Sequence, residues 1–221
     1  MPGTDLSGSA AGQVLEEMIC RYPALAGIKE EITESVRLLE ECSRNRGRLL
    51  LCGNGGSASD ALHIAGELMK NFISRREIAP DTAQRLRELY PEEGAYLSRE
   101  LEGAFPAIPL TGNTAFATAF ANDAQEELSY AQQVYALGQE GDVLLGISTS
   151  GNAENVRYAA MTAKAKGMKV IGLTGKTGGR LKEYCDCCIC VPETETYRIQ
   201  ELHLPVYHCI CRMVEVTLWD S

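Results

Sequence analysis

The chain has 221 residues, 45% of them hydrophobic and 23% charged, with 21 Gly and 8 Pro; it can bury roughly 70% of its unfolded surface, and its balance excludes collagen-like, disordered and knottin-like chains. Thirty acidic residues against 21 basic ones give a net charge of −9, a field that opposes a phosphate backbone, so direct nucleic-acid binding is not expected. No apolar run approaches the ~20 residues that cross a bilayer, and the N-terminus lacks the basic and apolar regions of a signal peptide; the expectation is a cytoplasmic protein without membrane contact.

From Val14 through Leu51 apolar residues recur at helical spacing, with Ile28, Ile32, Val36 and Leu39 at i, i+4, i+8 and i+11, so residues 1–47 are read as N-terminal helices. Residues 48–52 form a short apolar run that stops at Gly53-Asn54-Gly55-Gly56-Ser57, after which Ala61, Leu62, Ile64, Ala65, Leu68 and Met69 resume helical spacing. This is strand, glycine turn, helix. From Ser74 to Gly103 the composition changes abruptly to Arg, Glu, Asp and Tyr. Residues 74–103 read as a partly helical insert, a surface elaboration or lid rather than a domain, ahead of residues 107–110. The strand–turn–helix grammar returns at residues 142–147 followed by Ser148-Thr149-Ser150-Gly151-Asn152, and at residues 169–173 followed by Thr174-Gly175-Lys176-Thr177-Gly178-Gly179. Three such units predict one α/β domain over residues 1–221, a mostly parallel sheet covered by helices on both faces. Ligands of such sheets sit beyond the carboxyl ends of the strands, where all three turns fall.

Nine cysteines are an odd number, and four crowd into Cys185, Cys187, Cys188 and Cys190. A disulfide framework does not suit a chain of this length without an export signal, and the spacing lacks the two-residue gap of zinc knuckles. The segment reads as a strand in which cysteine serves as a small buried hydrophobe.

Asn54-Gly55-Gly56-Ser57 offers backbone N–H groups, a hydroxyl and a helix N-terminus, which together welcome a phosphate. Taken alone it is also an ordinary βα turn, and it is not the G-x-G-x-x-G fingerprint. Ser148, Thr149 and Ser150 supply more hydroxyls than capping a helix requires. Two hydroxyl-rich turns at one sheet edge point to a sugar phosphate. Of the three histidines, His63 lies four residues before Glu67, and His208 lies eight after Gln200. The first pair shares a helix face, and the second is separated by about 80° around a helix axis. His63, Glu67, Gln200 and His208 form a donor set suited to zinc or a similar divalent ion. The same spacings suit a surface ion pair and hydrogen-bonded core histidines. For Asn122-Asp123, helix capping is the expected role, with contact to substrate hydroxyls as the alternative.

The stretches Cys52-Gly53-Asn54-Gly55-Gly56-Ser57 with Asp60, His63 and Glu67; Asn122-Asp123; residues 140–152; residues 167–175; and Arg198-Ile199-Gln200-Glu201 with His203 and His208 resemble the sugar isomerase (SIS) domain and, within it, the phosphoheptose isomerases. The resemblance implies a three-layer α/β sandwich with a five-stranded parallel sheet flanked by helices, a homotetramer, and active sites where subunits meet. It implies isomerisation of sedoheptulose 7-phosphate to D-glycero-D-manno-heptose 7-phosphate through an enediol, with Glu67 as base and His208 as acid. One zinc per subunit would be held by His63, Glu67, Gln200 and His208; for Glu67 the roles of base and ligand compete. Asn54, Gly55, Gly56 and Ser57 with Ser148, Thr149 and Ser150 would bind the phosphate, and Asn122 and Asp123 the sugar hydroxyls.

Three departures from the family pattern bear on substrate identity more than on reaction type. Ala153 stands where the family often has serine, Tyr197 replaces an aspartate before Arg-Ile-Gln, and the insert lies outside the typical pattern. A rival reading is a non-catalytic tetrameric SIS protein that binds the bacterial replication initiator, whose text is similar to Cys209-Ile210-Cys211-Arg212-Met213-Val214-Glu215. That family lacks counterparts of Glu67 and His208, and their presence here favours an enzyme. A phosphosugar sensor is the third reading; it would need neither residue.

Overall fold

Apolar residues crowd into five short runs, and each forms a strand of one parallel sheet. The computed structural model describes residues 8–219. The strands are β1 (Leu49–Gly53), β2 (Ala107–Pro109), β3 (Val143–Ser148), β4 (Lys169–Thr174) and β5 (Cys187–Cys190), in the order β2-β1-β3-β4-β5, and every neighbouring pair is parallel. β1 and β3 are buried along their whole length, as expected for central strands covered on both faces. Because side chains alternate, Leu49 and Leu51 enter one core and Leu50 and Cys52 the other.

The first core is closed by α1 (Ala10–Arg21), α2 (Lys29–Arg44), α3 (Gly56–Met69) and α9 (Thr196–Trp219). The apolar stripe of α2 is buried as its spacing predicts, from Ile32 through Val36 to Leu39. On α1 the Ser9 hydroxyl caps the helix by accepting from the Gly12 N–H at 3.0 Å. The second core is covered by α7 (Ser129–Leu137) and α8 (Glu154–Ala165). Asp142, read from sequence as the first residue of β3, instead precedes it and is fully buried. Its carboxylate accepts from the Arg48 and Gln139 N–H groups at 2.9 and 3.0 Å, tying together the starts of β1 and β3. Cys187 is buried with Ile189 in the first core, while Cys188 and Cys190 face the other side of the sheet, their sulfurs 3.7 Å apart.

The insert folds as α4 (Pro80–Leu89) and α5 (Gly94–Glu100). The two cross at Gly94, where a Cβ would collide with the Leu86 carbonyl. α4 buries none of its residues, so the insert is anchored elsewhere, through Arg76. That side chain is fully buried, donates from Nε to Glu215 Oε1 at 2.8 Å and from a terminal nitrogen to the Leu68 carbonyl at 2.9 Å, and lies 4.6 Å from the Trp219 ring centre.

α6 (Thr114–Asp123) also buries none of its residues. Its N-cap is Asn113, which accepts from the Phe116 N–H at 3.3 Å. The capping role expected for Asn122-Asp123 is corrected here. They are the last two residues of α6, bonded to each other at 2.8 Å; the following 3-10 turn starts after Gln125, with no side-chain cap. Among the described residues no helix is long and apolar enough to cross a membrane.

Candidate active site

The strand order reverses direction between β1 and β3, and a parallel sheet opens a crevice beyond the carboxyl ends of two strands at such a switch point. The turns after these two strands are Asn54-Gly55-Gly56-Ser57 and Ser148-Thr149-Ser150-Gly151. Gly55 holds a φ of +55°, which lets the chain reverse into α3. The Ser148 hydroxyl accepts from the Gly151 N–H and the Ser150 hydroxyl from the Asn152 N–H, both at 3.1 Å. A hydroxyl that accepts a bond keeps its own proton to donate, so both remain competent to bind a phosphate oxygen. Asn54 and Asn155 exchange two side-chain hydrogen bonds of 2.8 and 2.9 Å across the crevice. Tyr130 reaches in from α7 to donate to the Gly53 carbonyl at 2.6 Å, and burial pushes its phenol up to about 12.

The second cluster lies farther along α3. His63 and Glu67 share a face of that helix, with Nε2 and Oε1 3.4 Å apart, and His208 of α9 brings its own Nε2 to 3.5 Å from that of His63. The other Glu67 oxygen is held by Lys70 at 2.9 Å. Tyr207 contacts His63 Nδ1 at 3.0 Å and also faces the Asp60 carboxylate. If the tyrosine donates to Asp60, His63 Nδ1–H donates to the tyrosine and the Nε2 lone pair is left facing Glu67 and His208. Burial raises Asp60 above the usual carboxylate range against the lowering effects of Tyr207 and His63, and one of its oxygens has no partner among the described residues. Burial and then the neighbouring His63 lower His208, with Glu67 opposing.

The structure thus brings together His63, Glu67 and His208, and separately Asn54, Gly55, Gly56 and Ser57 with Ser148, Thr149 and Ser150. Gln200 belongs with the second group. Its amide packs over Gly56, where any Cβ would collide with it, and it makes no hydrogen bond to the histidines or Glu67 among the described residues. Eight residues of helix place it about 12 Å along the axis from His208. His203 is fully buried, and burial outweighs the raising effect of the Thr174 backbone to lower it to about 4, so it is a neutral core side chain. Asn122 and Asp123 are exposed at the end of α6 and touch neither cluster.

Lys70, Tyr207 and Asn155 were not singled out from sequence. Lys70 lies three residues after Glu67, one helical turn away, so the same spacing count that paired His63 with Glu67 reaches it. Asp60 carries the same signal relative to His63. Tyr207 and Asn155 enter through tertiary contacts 144 and 101 residues apart, which periodicity does not reveal.

Residues 87–175 match the SIS domain family. A phosphoheptose isomerase of a Nitratiruptor species is 43% identical over 175 residues, 79% of this chain and 80% of its own. That of a Roseiflexus species is 41% identical over 199 residues, covering 90% and 84%. The solved structure of a phosphoheptose isomerase from Francisella tularensis superposes with a TM-score of 0.70 at 30% identity, over 96% of this chain and 98% of that one. With the sheet order, the paired turns and the His63–Glu67–His208 cluster in one framework, and with identity of this level along most of its length, the chain belongs to the phosphoheptose isomerase family.

Proposed function

We propose that the chain converts sedoheptulose 7-phosphate to D-glycero-D-manno-heptose 7-phosphate through an enediol. The observation that carries this reading is the convergence of a carboxylate and two imidazoles from α3 and α9. Glu67 takes the proton from C1 of the ketose while His208 protonates the C2 oxygen, giving the 1,2-enediol. Return of a proton to C2, with loss of the proton on the C1 oxygen, leaves the aldehyde at C1. The turns after β1 and β3 hold the phosphate, beginning at Ser57. Six residues of α3 separate Ser57 from His63, about 9 Å of helix, a gap suited to an extended sugar phosphate rather than a triose.

The donor set fits a zinc ion through three residues. Ligands about 2.0–2.1 Å from a tetrahedral zinc lie roughly 3.3 Å from each other, close to the separations of His63 Nε2 from Glu67 Oε1 and from His208 Nε2. Among the described residues no three His, Cys, Asp or Glu side chains already form a group able to hold a metal. On those two separations we assign His63, His208 and Glu67 as the ligands, which would close in further on the ion, with Gln200 positioning the phosphate turn. When bound, the ion supplies a Lewis acid that stabilises charge on the enediolate oxygens. Glu67 has one oxygen toward His63 and the other on Lys70, so ligand and base roles fall on different atoms.

A homotetramer is part of the proposal. Leu62, Met69 and Ile73 stand exposed beside the catalytic cluster and α6 buries nothing, which supports burial against other copies. A cytoplasmic location is supported by nine cysteines that are all unpaired.

The test is an NMR assay of the purified protein with sedoheptulose 7-phosphate, before and after chelation, with metal content and thermal midpoint measured in parallel. The expected result is formation of the aldoheptose phosphate, with loss of turnover and a lower midpoint once zinc is removed. Full activity in metal-free protein would overturn the zinc assignment. Tight substrate binding with no turnover in either state would favour a sensor.

A further inference from the structure

The insert contains a cavity of about 620 Å³ lined by Arg75, Arg87 and Arg99, with Glu77 as its one acidic residue. Small-molecule sites occupy about 300–1,000 Å³. Three guanidinium groups, one of them paired with Glu100, outnumber the carboxylates of Glu77 and Glu100 and make the pocket net positive on a chain whose net charge is −9. Two of the arginines are held by neutral acceptors. Arg87 donates to the Ser98 hydroxyl at 3.0 Å, and Arg75 donates to the Arg99 carbonyl. Neither has a carboxylate partner among the described residues, whereas Arg99 is bonded to Glu100 at 2.6 Å. The cost of ordering Arg75 and Arg87 is thus met without neutralising them, which prepares them for bidentate recognition of a dianion. Ile78, Pro80 and Leu101 add apolar wall and Gln84 a polar amide, so a phosphate ester, with an organic group to meet them, fits the lining better than the bare ion.

We propose that this cavity is a second binding site, distinct from the His63–Glu67–His208 cluster, for a small phosphate monoester, and that its occupancy is transmitted to the catalytic carboxylate. The path is short. Arg75 is followed by Arg76, whose guanidinium donates to the Glu67 carbonyl at 3.3 Å and the Leu68 carbonyl at 2.9 Å. A ligand that draws in Arg75 displaces the backbone next to those bonds.

The experiment uses glycerol 3-phosphate as probe, with the full-length wild type and the R75Q/R87Q variant. Calorimetry is expected to show one class of site more in the wild type than in the variant, whose thermal midpoint stays within a few degrees of the wild type. In the isomerase assay the probe is expected to change wild-type kcat about 5-fold or more, the lower end of ordinary allosteric coupling, and to leave the variant's kcat unchanged. Competition at the active site alone would alter KM and not kcat. No binding to the wild type, or binding that survives R75Q/R87Q undiminished, would overturn the site. Binding that R75Q/R87Q removes, with an unaltered wild-type kcat, would overturn the coupling. The calorimetric result stands whether or not sedoheptulose 7-phosphate is turned over.

Discussion

Glu67→Gln and His208→Ala are each expected to lower kcat by about 10²–10⁴-fold, the range that a positioned acid or base contributes. Glutamine keeps the shape of Glu67 and an oxygen for Lys70, but it cannot accept the C1 proton. Neither residue belongs to the buried cores, so the fold is expected to persist, and the thermal midpoint and elution volume of both variants serve as controls. Metal content separates the two tasks assigned to Glu67. A variant that retains zinc and loses kcat identifies a base, and one that loses both identifies a ligand whose removal empties the site. His208→Ala removes an imidazole whose Nε2 lies 3.5 Å from that of His63, so its zinc content is expected to fall as well. Near-normal kcat in either variant would remove that residue from the mechanism.

The order of elements was legible because each strand is a short apolar run closed by a glycine or hydroxyl turn, and each helix keeps a regular apolar stripe. Boundaries slipped by one residue at β1 and β3. Arg48 and Asp142 have strand-like neighbours, yet their polar groups pair with each other at the strand entrance. Within the site, spacing along one helix succeeded. His63 and Glu67 meet because four residues make one turn. For Gln200 and His208 the 80° separation leaves out the roughly 12 Å of axial rise between them, and the Gln200 amide lies over Gly56. The place of Asn122 and Asp123 between two helical segments suggests a cap on the second, but an N-cap directly precedes its helix, and these two residues end α6 instead. The fully buried pair Arg76 and Glu215 had no signal at all. It joins residues 139 positions apart, and in the sequence each is one charge among many.

That pair carries the largest stability effect expected in the chain. Burial works to raise the Glu215 carboxyl, but the Phe72, Ile73 and Ser74 N–H groups and Arg76 outweigh it and hold the group below its usual 4.5. The three N–H bonds measure 2.7, 2.9 and 3.2 Å. Glu215→Ala leaves a buried guanidinium unpaired and is expected to cost about 3–5 kcal/mol by urea unfolding. Arg76→Met is expected to cost less, because the carboxylate keeps its three N–H donors. In many proteins an apolar replacement of a buried ion pair restores stability. Here R76M/E215L is not expected to, since each buried N–H left without an acceptor costs about 1–3 kcal/mol. Because the folded-state pKa is depressed, the stabilisation from Glu215 is present above about 4.5 and is lost as pH falls through the lower folded value. The gap in stability between wild type and Glu215→Ala should therefore be full at neutral pH and should narrow on acidification below that point. A Glu215→Ala cost under about 1 kcal/mol, the range of an exposed ion pair, would show that the segment from Phe72 to Arg76 is held by something else. The consequence reaches the active site, because Arg76 also holds the carbonyls of Glu67 and Leu68. Loss of its partner frees the end of α3 that carries Glu67, the proposed base, and is expected to lower kcat even where the variant remains folded.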